Sequence, residues 1–222
     1  MSSPFAHLRR WIFLLCLLTL PAWSGWDFDK LVKLAQQRYG ATAAKLVADT
    51  QQVLSASKTL AEAEKLKRVN EFFNRRLQFQ DDSTIWQQTD YWATPLETLG
   101  KGAGDCEDFA IVKYFALKEL GVSAEKLRMS YVKAKIGGSN STVTQAHMVL
   151  TYYPSPDAEP LVLDNLITEI RPASRRPDLT PVFSFNSEGI FTGSGVQPSG
   201  SIDRLSRWKD VLLRMQSDGI AF

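Results

Sequence analysis

Cys106, His147 and Asp164 are the residues on which chemistry could rest. A thiol, an imidazole and a carboxylate in that chain order can act as nucleophile, general base and the group that orients the base. The chain holds two cysteines and two histidines, and the other pair, Cys16 and His7, lies in the first 24 residues. That segment carries Arg9 and Arg10, an unbroken apolar run from Trp11 to Leu18, then Pro21 and Ala22-Trp23-Ser24. It has the pattern of a secretory signal peptide cleaved after Ser24. The alternative is an uncleaved anchor, but Trp11 to Leu20 is about half of the ~20 apolar residues needed to span a bilayer. No second apolar segment of spanning length follows, so no stable membrane insertion of the mature chain is expected.

Cleavage would leave Cys106 and His147 as the sole cysteine and histidine. One cysteine forms no internal disulfide, and an exported protein that keeps an unpaired thiol in an oxidising compartment usually uses it. The competing reading is a buried, inert thiol. Without Arg9 and Arg10 the 26 basic side chains become 24, matching the 24 acidic ones. A formal charge of zero gives no support to a nucleic-acid partner.

The neighbours of Cys106 favour a reactive thiol. Residues 102–121 read as flexible glycines, a cluster of acids, then a helix-forming run stopped by Gly121. A helix starting within a residue or two of Cys106 would carry Phe109, Ile111, Val112, Phe115, Ala116, Leu117 and Leu120, and would therefore be buried. Backbone N–H groups at such a start favour thiolate and can receive an oxyanion. Asp105, Glu107 and Asp108 oppose this by repelling a thiolate. A bound cation or an imidazolium would compensate them.

His147 opens a β-rich run that ends at Pro154, and Leu161 to Asp164 forms a second, so a proline-rich turn makes them an antiparallel hairpin. With its symmetry point between Ser155 and Pro156, His147 and Asp164 are directly opposed on one face, about 5 Å apart at Cβ. Taken separately, His147 reads equally as a core histidine and Asp164 as a turn or capping residue. Together with Cys106 they read as a catalytic set.

Tyr91-Trp92-Ala93-Thr94-Pro95-Leu96-Glu97, Gly104-Asp105-Cys106-Glu107-Asp108-Phe109-Ala110, Ala146-His147-Met148 and Leu163-Asp164-Asn165 together resemble the bacterial transglutaminase-like cysteine proteinases, in particular the periplasmic type that releases large biofilm adhesins. The resemblance covers nearly all of the mature chain. It implies a papain-like, transglutaminase-like fold, a catalytic triad of Cys106, His147 and Asp164, and calcium (Ca2+) bound by Asp105 and Glu107. It also implies two partners. The substrate would be the N-terminal region of a large surface adhesin, cut at a small-residue site containing paired alanines, and control would come from an inner-membrane cyclic-di-GMP receptor. Calcium suits the local physics, because it takes oxygen ligands and would neutralise the acids beside the thiol. The segment lacks the EF-hand spacing. Asp108 reads either as a further ligand or as a first-turn residue, and Trp92 as a packing residue. The same triad can run transamidation or amide hydrolysis, and a non-catalytic calcium-dependent binding module is the other alternative.

The elements that must position these residues form an α+β layout of one domain, residues 25–222. A helical part is expected over Phe28 to Leu77, then a polar loop from Gln80 to Asp90. Strands are expected at Leu127 to Val132, His147 to Tyr153 and Leu161 to Asp164, with Gly137 to Ser141 as a flexible connector. Arg171 to Pro181, rich in proline, reads as an extended surface loop. Short strands around Phe183, Phe185, Ile190 and Phe191 flank a turn, and an amphipathic helix from Ile202 to Met215 closes the chain.

Overall fold

The computed structural model describes residues 25–137, 141–192, 198–202 and 205–221. The expected signal peptide and residues 138–140 of the expected connector lie outside the described residues.

Three helices open the described chain: α1 (Phe28–Tyr39), α2 (Ala41–Ser57) and α3 (Glu62–Arg76). Asp27 caps α1 by accepting from the Lys30 N–H at 3.0 Å. Leu31 and Ala35 of α1 and Leu66, Val69 and Phe73 of α3 point their apolar stripes into one core. The segment read as a polar loop contains a single helical turn, α4 (Asp82–Ile85), which buries Asp82. Next comes α5 (Pro95–Lys101), a helix the periodicity reading did not anticipate. It starts with a capping box between Thr94 and Glu97 and has Pro95 in its first turn.

The nucleophile candidate heads α6 (Cys106–Glu119), which runs through the core with every residue from Asp108 to Leu117 buried. Gly121, at φ 81°, ends it as expected. Two short parallel strands, β1 (Gln78–Phe79) and β2 (Ala103–Gly104), tie the chain after α3 to the segment before α6. Gly104 is required there, because an added Cβ would lie 2.6 Å from the Asp108 Cβ.

The remaining strands are β3 (Leu127–Lys135), β4 (Thr144–Tyr152), β5 (Leu161–Leu163), β6 (Arg171–Pro172), β7 (Leu179–Phe185) and β8 (Ile190–Thr192). They form an antiparallel sheet in the order β6-β5-β4-β3-β7-β8. Alternation along the strands gives it two apolar faces. Met129, Met148, Leu150, Leu163 and Phe185 join the helical core, whereas Val132, Val149 and Val162 form a second cluster with Ala173 and Leu179. The last helix, α7 (Ser206–Asp218), starts four residues later than the amphipathic pattern suggested.

Two further expectations are corrected. The β4–β5 hairpin pairs Leu150 with Leu163, a register two residues away from direct opposition of His147 and Asp164. The turn is longer and centred later, since β4 ends at Tyr152 and β5 begins at Leu161. Arg171 to Pro181 is not an extended surface loop either: β6, a 3-10 turn (Ala173–Arg175) and the start of β7 occupy it, and Arg176 is buried.

Candidate active site

A two-residue shift preserves side-chain parity, so His147 and Asp164 stay on one face as diagonal neighbours within reach of each other. His147 Nε2 and Asp164 Oδ1 are 2.8 Å apart, and both residues are buried. Asp164 Oδ1 also accepts from the Leu166 N–H at 3.1 Å, and Oδ2 accepts from Arg176 Nη2 at 2.7 Å. The Asp164 carbonyl accepts from Asn74 Nδ2 of α3 at 2.7 Å. Burial pushes the Asp164 carboxyl up, but His147, Leu166 and Arg176 outweigh it and hold it at about 2. An ionised Asp164 is an acceptor only, so a neutral His147 carries its proton on Nε2 and keeps the Nδ1 lone pair for a partner.

Cys106 lines the same cleft as His147, with its thiol hydrogen-bonded to Glu107 and not to the ring. Cys106, His147, Met148, Glu107, Trp92 and Tyr131 are among the residues lining a cavity of about 450 Å³. The backbone of Met148, next to His147, lies near the Cys106 thiol and favours its charged form slightly. Trp92 stacks on Phe185 with ring centroids 5.7 Å apart, and Tyr131 stacks on Phe183 at 5.3 Å, giving the cleft a rigid aromatic wall. A larger cavity, about 560 Å³, lies over Val132, Val149 and Val162 and includes neither Cys106 nor His147.

At the thiol, burial and then the neighbouring acids disfavour the charged form. Cys106 Sγ donates to Glu107 Oε2 at 3.0 Å. Burial, Glu107 and Asp105 push the thiol far above its ordinary range, and the Met148 backbone opposes them only weakly. The acids themselves are also poorly accommodated. Burial and the charges of Glu107, Asp108 and Asp82 push Asp105 up to about 10, burial pushes Asp82 up to about 6, and burial raises Asp108 well above the carboxylate range.

These carboxylates converge. Oxygens of Asp82, Asp105 and Asp108 lie within 4.8 Å of one another, as do those of Asp82, Asp90 and Glu107. Asp82 Oδ1, Asp105 Oδ1 and Asp108 Oδ2 are buried without a hydrogen-bond partner. Other oxygens of the cluster are engaged by backbone: Asp108 Oδ1 accepts from the Ala93 N–H at 2.7 Å, and Asp82 Oδ2 from the Tyr91 N–H. The orphaned oxygens of Asp82, Asp105 and Asp108 fit a hard divalent cation, and Glu107, grouped with Asp105 and with Asp82, is a further candidate ligand. Asp105 and Glu107 were expected in this role and Asp108 was left open. Asp82 was missed, because its distance along the chain from Cys106 follows no metal-ligand spacing and tertiary contacts, the β1–β2 pairing among them, bring its segment to the site.

Comparisons with known proteins give the family. A family model described as bacterial transglutaminase-like cysteine proteinase matches residues 37–177. The solved structure of Legionella pneumophila LapG is 39% identical, covering 85% of this chain and 97% of that one, with a TM-score of 0.72. An EGTA-treated structure of the same protein matches at the same identity and coverage with a TM-score of 0.74. A calcium-bound one matches at 0.71, covering 98% of that chain. No curated protein sequence gives a significant match.

Proposed function

The chain belongs to the bacterial transglutaminase-like cysteine proteinases, and from that premise we propose that it is a calcium-dependent endopeptidase whose catalytic residues are Cys106, His147 and Asp164. The observation that carries the catalytic assignment is the 2.8 Å pairing of buried Asp164 with Nε2 of His147, a residue that lines the same cleft as Cys106.

In the reaction, Asp164 holds the ring so that His147 Nδ1 takes the thiol proton as Cys106 Sγ attacks a peptide carbonyl. Backbone N–H groups at the start of α6 receive the tetrahedral oxyanion. His147 returns the proton to the leaving amine, and water, activated by the same ring, hydrolyses the thioester. Asp82, Asp105, Glu107 and Asp108 would hold Ca2+, whose charge offsets the carboxylates that otherwise suppress the thiolate. The calcium-bound and EGTA-treated LapG structures support a role for this ion.

The substrate in this reading is the N-terminal region of a large surface adhesin, released by cleavage in the periplasm with dispersal of the biofilm. An inner-membrane cyclic-di-GMP receptor withholds the protease when the nucleotide is abundant. Residues 1–24 act as the export signal, and 25–222 form one protease domain. Among the described residues no helix is long and apolar enough to cross a membrane. The test is cleavage of an adhesin N-terminal fragment with and without a calcium chelator. Calcium-dependent cleavage that Cys106→Ala abolishes supports the reading, and near-normal cleavage by Cys106→Ala overturns it.

A further inference from the structure

We propose that Arg176 is a positioning residue for this reaction: its buried guanidinium fixes the Asp164 carboxylate, and through it the His147 ring, for proton transfer at Cys106. The inference rests on the catalytic reading of Cys106, His147 and Asp164.

A carboxylate bonded only to an imidazole is free to swing, because the terminal torsion of aspartate is broad. Here both oxygens are held. The Leu166 N–H and His147 meet Oδ1, while Arg176 Nη2 meets Oδ2 at 2.7 Å. Arg176 is itself immobilised. It is 2% exposed, its Nε donates to Asp178 Oδ1 at 3.0 Å, and its Nη2 also donates to Asp178 Oδ2 at 2.7 Å. This forked contact sets the plane of the guanidinium.

The backbone beneath is pinned as well. The Arg176 N–H donates to the Ala173 carbonyl at 2.9 Å, and the Arg176 carbonyl accepts from the Leu179 N–H at 3.0 Å. The Asp178 carbonyl accepts from the Lys135 N–H at 2.8 Å, which ties the turn to β3. The sheet therefore dictates where Arg176 points, and Arg176 dictates how Asp164 faces His147. A purely structural tie between this turn and the sheet would be complete with Asp178 alone. The additional bond to the Asp164 oxygen opposite the imidazole is what a positioning role requires.

The experiment compares wild type, Arg176→Met, Arg176→Lys, Asp164→Ala and the double variant Asp164→Ala/Arg176→Met in cleavage of the adhesin fragment. The His147 ring is followed in parallel by NMR, its signals assigned with a His147→Ala control. Loosening the carboxylate in Arg176→Met should lower kcat about 100-fold with KM little changed, the scale of a misplaced catalytic group. Arg176→Lys should lose about tenfold, since an ammonium cannot reproduce the fork. The His147 Nε2–H resonance should shift in both. The double variant should be no slower than Asp164→Ala, because Arg176 acts only through Asp164. Wild-type kcat with an unmoved His147 resonance in Arg176→Met overturns the proposal, as does a double variant slower than Asp164→Ala by the full Arg176→Met factor. Should Arg176→Met not fold, the same readouts on Arg176→Lys decide the question. If Asp164→Ala or Cys106→Ala cleaves normally, the catalytic reading itself fails, a result distinct from failure at Arg176 alone.

Discussion

Replacing Lys113 with methionine should stabilise this protein and change how its stability depends on pH. Lys113 lies on α6 about two turns beyond Cys106 and is 1% exposed, with an Nζ that has no hydrogen-bond partner. Its ammonium sits over the Phe109 ring, 5.6 Å from the centroid. Burial lowers its pKa from 10.5 to about 7, and the charge of Asp164 only partly opposes the drop. That drop corresponds to a cost of about 5 kcal/mol for keeping Lys113 charged in the folded state. The sign follows from proton counting. Between pH 7 and the unfolded value near 10.4 the unfolded chain holds a proton on Lys113 that the folded chain has released, so this group makes stability rise with pH. From pH 7 to 9 its contribution should rise by about 2 kcal/mol. Cys106 works in the opposite direction above pH ~8.5, because its folded form stays protonated, so the informative quantity is the difference between two proteins. Urea unfolding of wild type and Lys113→Met at pH 7, 8 and 9 measures it. The variant's stability advantage should be largest at pH 7 and shrink by about 2 kcal/mol by pH 9. An advantage constant across that range, or a destabilised variant at pH 7, would refute the argument that Lys113 is a buried cation only partly compensated.

If the carboxylate cluster holds calcium, Asp82→Asn should weaken binding about tenfold or more, measured by titration calorimetry. Unchanged affinity would remove Asp82 from the ligand set. Calcium should also raise the melting temperature of the protein, because it binds the folded arrangement of Asp82, Asp105, Glu107 and Asp108 and not the unfolded chain. Gly104→Ala should cost about 1–3 kcal/mol by overpacking against Asp108, and should reduce calcium affinity as well. A Gly104→Ala protein with wild-type melting temperature would show that the β2–α6 junction relaxes freely.

What the sequence made legible was local. The glycine-flanked start of α6, its all-round apolar character and its stop at Gly121 are properties of one contiguous segment, and the structure reproduces them. So are the runs that became β3, β4, β7 and β8. The hairpin argument found the His147–Asp164 pair although its register was wrong by two residues. A period-2 pattern fixes which face a residue occupies but not which partner it opposes, and turn length decides the latter. Asp82 and Arg176 were not legible for a different reason. Asp82 sits in a polar stretch that reads as solvated loop, and Arg176 in a proline-rich stretch that reads the same way. Each is buried by contacts outside its own segment: Asp82 beside the α6 start, Arg176 against Asp164. No local pattern separates a buried charge of this kind from a solvated one.

The two halves of the site reach charge balance in different ways. On the His147 side, Asp164 and Asp178 share the guanidinium of Arg176, and the carboxylate that matters is held ionised at about 2 by bonds within the fold. On the Cys106 side, Asp82, Asp105 and Asp108 leave three buried oxygens unpartnered, and the thiol is pushed toward its inactive form. In the proposed mechanism the fold thus supplies a finished base and an unfinished nucleophile. On the proposed reading, chelation would disarm Cys106 while leaving the His147–Asp164 geometry in place. The His147 Nε2–H resonance should then be the same with and without calcium, whereas alkylation of Cys106 should slow when calcium is removed. Loss of both together would mean that the acidic cluster holds the cleft's shape as well as its charge.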